Sequence, residues 1–310
     1  MNYIINFNFK MPEICEVLLT TQYLNKIIGM FMTNIKIIGG RYLKKSIPNL
    51  DKLTFPLKIT DINSHGKFMW ITMKNNDGHL WYMMNTFGLT GKWSFEKMDH
   101  CNVKFTLKKT KTSDEKITAF FCDIRNFGTI SFTDDYSVLE KKLNKLAVDM
   151  LQSDISKNTF KKIIDDFKNK KKQIVVVLMN QTKKDGIISG LGNYLVPEIL
   201  YRSKISPHRS LSKLSDKDIS NLYNTIKYVL KLCYMTNNTE YISHMKNFLK
   251  NHPENVKNEK FPNYLPDVKI ETDKFQFLVY RKKLDPYGNE IIGDKIINGR
   301  TTYWCPSVQS

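Results

Sequence analysis

From Ser189 to His208 the chain reads SGLGNYLVPEILYRSKISPH. Gly190 and Gly192 stand just before 193–204, a stretch with helical spacing. Glycines there let the backbone approach a bound group, and a helix N-terminus favours phosphate. The pattern is not a dinucleotide fingerprint, because Leu195 sits where a third glycine would be and no strand–helix–strand unit surrounds it. By itself the stretch reads equally as a glycine-rich turn between helices. Upstream, 137–151 and 157–168 carry helical spacing and lysine-rich faces, and 173–181 is a short buried segment. The basic run Lys168–Lys172 reads as a solvated face. Downstream, 215–235 begins with Ser215 and Asp218, in the manner of a capping box. A long polar loop with Pro253, Pro262 and Pro266 fills 236–272, and 273–305 reads as two strands around Asp285-Pro286-Tyr287-Gly288-Asn289.

The first half has another texture. Residues 12–31 predict one helix, with Pro12 at its first turn and Glu13 and Glu16 where negative charge suits the helix dipole. Short β-rich runs then follow at 33–38, 57–62, 67–74, 79–85, 102–108, 117–122 and 128–133. Their regular spacing, with no helix between them, argues for a sandwich or barrel and against a doubly wound sheet.

With 310 residues, 41% of them apolar, the chain can build two cored domains and is not disordered. No apolar run approaches the ~20 residues of a membrane-spanning helix, and the first ten residues do not read as a secretory signal. Lysine and arginine number 48 against 30 acidic residues, a formal charge of +18 that points to a nucleic-acid partner. Only six residues are arginine, so each is a candidate for the forked recognition of phosphate that lysine performs poorly. Five cysteines at long spacings form no CxxC pair. They argue against a disulfide framework and a four-cysteine zinc site, and for a reducing, intracellular setting.

Met11-Pro12-Glu13 carries the sharpest chemistry. A polypeptide beginning at Pro12 would present a secondary amine, largely free base near neutrality, able to form an iminium with an aldehyde-like carbon. Otherwise the triplet is merely a helix start, and with ten residues ahead of Met11 the Pro12 nitrogen is an amide. Near the C-terminus, Arg300-Thr301-Thr302-Tyr303-Trp304-Cys305-Pro306 can set a guanidinium on a phosphate, or can be an ordinary packed strand.

In this order, MPEICEV (11–17), SHGKF (64–68), FGLTG (87–91), DIRNFG (123–128), GLGNYLVPEILYRSKISPH (190–208) and RTTYWCP (300–306) resemble the formamidopyrimidine-DNA glycosylase/endonuclease VIII (Fpg/Nei) family. The nearest branch is the zincless endonuclease VIII-like proteins, including those of giant DNA viruses. The resemblance runs from Met11 to about Gln309. It implies an α+β fold. Residues 1–10 would be a leader or misassigned start and 11–135 a catalytic domain with an N-terminal helix and β-sandwich. Residues 136–272 would form a helix–two-turn–helix DNA-binding domain with a flexible loop at 236–272, and 273–310 a zincless finger β-hairpin. The activity implied is excision of oxidised bases, pyrimidines favoured, followed by nicking at the abasic site. No cofactor or metal is implied. The partner is damaged DNA, duplex or single-stranded, and the protein acts as a monomer away from membranes.

The resemblance also implies roles. Pro12 matches the nucleophile and Glu13 the acid that protonates the sugar ring oxygen. Lys67 lies near the damaged nucleotide and its phosphate, and Asn193 and Arg300 clamp phosphates around the lesion. Leu89, Arg125 and Phe127 fill the gap left by the extruded base; without the resemblance, Leu89 and Phe127 would read as core. Glu16 is a second acidic residue in a supporting role, grouped with the DNA-binding set. The chain departs from the usual MPELPEV at Cys15, has Leu89 where methionine is common, and keeps only Cys305 of four finger cysteines. Its hairpin should therefore hold by packing, through Tyr280, Tyr303 and Trp304. A non-catalytic DNA-binding protein on the same scaffold is the alternative if residues 1–10 stay attached.

Overall fold

The computed structural model describes residues 11–237, 264–270, 272, 275–297 and 299–310. The leader assigned to 1–10 and most of the loop assigned to 236–272 lie outside the described residues.

The first helix, α1, spans Ile14–Leu24, shorter than the expected 12–31. A 3-10 turn follows at Asn25–Ile27, and Gly29, at φ 92°, turns the chain into β1 (Phe31–Ile37). The apolar spacing continues past Leu24, but the chain tightens there into the 3-10 turn, and left-handed Gly29 then ends the helical run. Pro12 lies ahead of the helix, and Glu13 is its N-cap.

Seven further strands follow: β2 (Leu57–His65), β3 (Phe68–Lys74), β4 (Leu80–Thr86), β5 (Lys92–Ser94), β6 (Cys101–Lys108), β7 (Lys116–Cys122) and β8 (Thr129–Thr133). β5, at three residues, is too short for any period to reveal. The antiparallel order is β5-β7-β6-β1-β2-β3-β4-β8. β1 and β2 share only the pairs Phe31↔Lys58 and Met32↔Leu57, and the sheet folds over at that seam into two layers. Trp93, Phe105 and Phe121 meet Ile71, Met83 and Phe132 in one core. Each such side chain contributes roughly 1.5–3 kcal/mol by leaving water. The Trp93 indole donates to buried Asn85 Oδ1 at 3.0 Å, so the polar group inside this core is paired.

The β6–β7 register sets Cys101 opposite Cys122, and the two form a disulfide. One bond is not the framework that the spacings argue against, but it removes the cysteine argument for a reducing compartment. Spacing along the chain could not reveal a pair that only strand register aligns. Cys15, Cys233 and Cys305 are buried thiols outside this bond.

The second half is helical: α2 (Tyr136–Lys145), α3 (Lys157–Asp165), α4 (Ile174–Met179), α5 (Leu195–Arg202) and α6 (Asp216–Asn237). The helix expected over 137–151 stops at Lys145. Residues 146–148 instead extend, bridging Leu146 to Thr182 and Val148 to Ile188, where tertiary pairing overrides helical spacing. Likewise, Asn193 and Tyr194 stay outside α5.

In the tail, Asp285–Asn289 makes a turn closed by a Leu284↔Glu290 bridge. The paired strands lie further on, at β9 (Ile292–Ile297) and β10 (Arg300–Trp304), with Gly299 in their turn at φ 72°. The strands expected on either side of 285–289 are thus corrected to a hairpin nearer the C-terminus. Among the described residues, no helix is long and apolar enough to cross a membrane.

Candidate active site

Glu13 and Glu16 start α1 as a capping box, the Glu13 backbone N–H donating to Glu16 Oε2 at 2.9 Å. Both acids are buried, at 1% and 0% exposure, so bulk water cannot solvate their charge. What surrounds them comes from the rest of the chain. Ile14 N–H donates to Gly190 O at 3.0 Å, which seats the helix start on the glycine loop. Tyr194 N–H then donates to Glu13 Oε1 at 2.9 Å. The other Glu13 oxygen, Oε2, is buried without a hydrogen-bond partner.

The two glycines do separate jobs. Gly190 has φ 96°, and a Cβ there would lie 2.6 Å from Ile14 Cβ and 2.9 Å from Gly66 Cα. Gly192 has no conformational need; a Cβ on it would collide with Lys67 Nζ and stand 2.6 Å from Glu13 Oε1. Close approach, rather than turn geometry, requires glycine at 192.

Lys67 arrives on the β2–β3 turn. Gly66 N–H donates to Asp149 Oδ2 at 2.8 Å, and His65 Nε2 sits 2.7 Å from Ala147 O, so this turn is docked on the helical half. Lys67 Nζ donates to Leu191 O at 2.9 Å. Burial pushes its pKa down, and the Arg300 charge adds to that against the opposing pull of Glu13. Burial pushes Glu13 the other way, up to about 7. Lys67 and the Tyr194 and Leu195 amides resist this, and the Glu16 charge reinforces it. A carboxyl group that titrates near neutrality can hold a proton and give it up at working pH.

Pro12, Glu13, Lys67 and Asn193 therefore gather at one place. Arg300, exposed at the start of β10, acts on it through the Lys67 charge. Asn193 is within hydrogen-bonding reach of the Tyr280 hydroxyl, and its Oδ1 is buried without a partner. Glu16 is fully buried, and its carboxylate accepts from Glu13 N–H and the Tyr194 hydroxyl.

Leu89, Arg125 and Phe127 form a second group. Asp123 organises their loops: its carboxylate accepts from Gly128 N–H at 2.6 Å, Arg125 N–H at 3.2 Å and the Thr90 hydroxyl. A Cβ on Gly88 would meet Gly128 N at 2.5 Å, so the two loops run backbone to backbone. Phe127 is 54% exposed under the Arg125 guanidinium, 5.4 Å from its ring centroid, and Leu89 is half-buried. Core packing does not account for Phe127.

Three residues escaped the sequence reading, and a fourth, Arg41, was legible only as one of six arginines suited to phosphate. Tyr194 touches both glutamates. Buried Asp149 braces the Lys67 turn. Glu198, also buried, accepts from the Leu278, Val279 and Tyr280 amides and pairs with Arg202, anchoring the strap that leads to the tail hairpin. Arg41 donates from its backbone to Asn126 Oδ1 at 3.0 Å, bracing the Phe127 loop. The available signal was an acid or tyrosine inside an apolar helical stretch, and that signal does not name a partner.

Three family models match: the formamidopyrimidine-DNA glycosylase N-terminal domain over 11–130, its H2TH domain over 146–242 and its C-terminal domain over 266–310. The chain is similar to the formamidopyrimidine-DNA glycosylase of Mycoplasma genitalium, 30% identical over 97% of this chain and 95% of that one. It is 26% identical to that of Ureaplasma parvum, over 97% and 100% of the two chains. Among solved structures, it superposes on MutM (Fpg) of Thermus thermophilus with a TM-score of 0.69 at 20% identity, covering 96% of this chain and 98% of that one. Wild-type Lactococcus lactis Fpg in complex with an oxidised-pyrimidine-containing DNA matches at TM-score 0.70 and 20% identity, covering 96% and 100%. Similarity over almost the whole length, together with all three domain models in order, establishes that the chain belongs to the formamidopyrimidine-DNA glycosylase family.

Proposed function

We propose that this chain, beginning at Pro12, removes oxidised bases from DNA, pyrimidines favoured, and nicks the strand at the resulting abasic site. The observation that carries this is the meeting of the Pro12–Glu13 helix start with the Lys67 turn and the Gly190–Tyr194 loop, where buried Glu13 titrates near 7. The base is extruded at a cost of a few kcal/mol, and Leu89, Arg125 and Phe127 replace part of the lost stacking. The Pro12 amine attacks C1′ while Glu13 protonates the ring oxygen, and the base departs. The iminium acidifies the C2′ protons, so β-elimination breaks the 3′ phosphate ester and δ-elimination the 5′ one. Lys67, Asn193 and Arg300 hold phosphates about the lesion. The protein works as a monomer on a basic face, and affinity falls steeply with salt.

Arg300→Ala tests the clamp. Base excision should fall and binding near the lesion weaken, with the slope of log affinity against log salt reduced by about one and the melting temperature unchanged. Unchanged excision by the variant would remove Arg300 from the site. The catalytic step itself is tested by the trapping experiment argued in the Discussion.

We also place the chain in the zincless branch. A finger zinc does not fit this tail, because Cys305 has no cysteine or histidine companion there. Its Sγ lies 3.9 Å from Asp285 Oδ2, and Asp285 is already taken. That carboxylate accepts from the Tyr201 hydroxyl, the Tyr287 and Asn289 amides and the Asn289 side chain. Burial alone would raise its pKa, yet these donors hold it at about 2. Tyr280 and Tyr303 meet edge to face at 5.6 Å, and the Trp304 indole donates to Asp294 at 2.7 Å. Elemental analysis of the purified protein should find no stoichiometric zinc; one zinc per chain would refute this account of the tail.

A further inference from the structure

We propose that Tyr194 is a positioning residue for the acid step, holding Glu13 through its backbone and Glu16 through its phenol so that the two carboxylates keep one arrangement. This rests on the reading of Glu13 as the proton donor. It adds a residue to which neither the motif reading nor the family match assigned a part.

The geometry is a closed loop. Tyr194 N–H donates to Glu13 Oε1 at 2.9 Å. Glu13 N–H donates to Glu16 Oε2 at 2.9 Å. The Tyr194 hydroxyl returns to Glu16, 2.7 Å from Oε1 and 2.8 Å from Oε2. One residue thus touches both acids, with two different groups, across 181 and 178 positions of sequence. A buried carboxylate without water needs such donors to stay ionised. The ring cannot drift, because Phe275, Phe277 and Tyr280 pack around it with centroids at 6.3, 5.6 and 6.4 Å. Those three residues belong to the strap that leads to the tail hairpin, which carries Arg300.

The charges facing the pair set the sign. Glu13 is faced by Lys67 from the β2–β3 turn, Tyr280 from the strap and Glu16 from its own helix. Glu16 is faced by Tyr194, by Cys15 of α1 and by Lys67. Cys233 of α6 lies 3.5 Å from the Tyr194 hydroxyl, and Arg300 acts on Lys67. The Glu16 charge helps keep Glu13 protonated. A Glu16 deprived of its phenol donor takes up a proton more readily, and Glu13 then loses that repulsion and ionises at lower pH.

The experiment compares wild type with Tyr194→Phe, both beginning at Pro12. It measures the pH profile of kcat/KM for base excision, nicking of a preformed abasic site, and thermal melting. Tyr194→Phe should lower excision by about 10- to 100-fold and move the alkaline limb of the profile down by about half a unit to one unit. Nicking of the abasic site, which needs no base departure, should suffer far less. A limb that stays in place, or excision and nicking falling in parallel with stability, would overturn the inference and leave Tyr194 a packing residue. Glu16→Gln, which keeps the shape and the phenol, guards against a Tyr194→Phe protein that does not fold. It should move the limb the same way, and an unmoved limb there is equally fatal. Failure of the underlying reading looks different, since wild type itself would then neither excise nor trap.

Discussion

Protein beginning at Pro12, treated with borohydride on DNA bearing an abasic site or an oxidised base, should yield one covalent adduct per chain, mapping to Pro12. The chain carrying residues 1–11 should yield none, and neither should Pro12-initiated protein with its terminal nitrogen acetylated. The reason is the state of one nitrogen. An α-amino group titrates near 8 and is substantially free base at neutral pH. In an amide the lone pair is delocalised into the carbonyl and attacks nothing. Borohydride reduces only an iminium, so the trap reports the bond itself and not mere binding. The expected contrast is all or none. An adduct mapping to Lys67 would be the most informative failure, since burial pushes that amine's pKa down, as activation of a lysine nucleophile requires.

For Glu13→Gln, base excision should fall by about 10²- to 10⁴-fold, the usual worth of a positioned general acid, while affinity for lesion-bearing DNA changes little. In wild type, kcat/KM for excision should decline as pH rises through about 7, where Glu13 loses its proton, and this limb should vanish from the residual activity of the variant. The same shift makes a stability prediction with a definite sign. Folding raises the Glu13 pKa from its ordinary 4.5 to about 7, so the native state holds this proton more tightly than the unfolded chain. Its contribution to stability is therefore present below pH 4.5 and is lost as pH rises through 7. Glu13→Gln removes that loss, so the variant should melt higher than wild type at pH 8, with the gap closing by pH 5. A variant both inactive and less stable at pH 8 would show that the carboxyl is a structural anchor. The opposed effects are expected because the site holds a carboxyl where an amide would sit more comfortably.

Local signals made some of this visible beforehand. The paired acids at Glu13 and Glu16 read as a helix start, and they are one. Phe127, which reads as core from its neighbours alone, is exposed, and only the family motif Asp123-Ile124-Arg125-Asn126-Phe127-Gly128 points to that. The β-rich runs at 57–62, 67–74 and 79–85 are strands at 57–65, 68–74 and 80–86. Readings that depended on distant partners fared worse. The helix beyond Lys145 is missing because residues 146–148 find extended partners at Thr182 and Ile188. The Cys101–Cys122 bond depends on which strands pair and in what register. Tyr194, Asp149 and Glu198 look alike in sequence, polar groups among apolar neighbours, and nothing local distinguishes the one that touches both acids.

The sequence by itself determined which groups exist and what local geometry they prefer: a proline before two acids, glycines before a helix, an arginine on a hairpin, a basic chain. These follow from side-chain chemistry and from periods of two and 3.6 residues, which are properties of neighbours. Only the tertiary structure decided that Glu13 is dry, that Lys67 and Tyr194 face it, and that its proton leaves near neutrality. That value is a balance between lost hydration and charges brought close in space, and both terms come into being only when distant segments exclude water together.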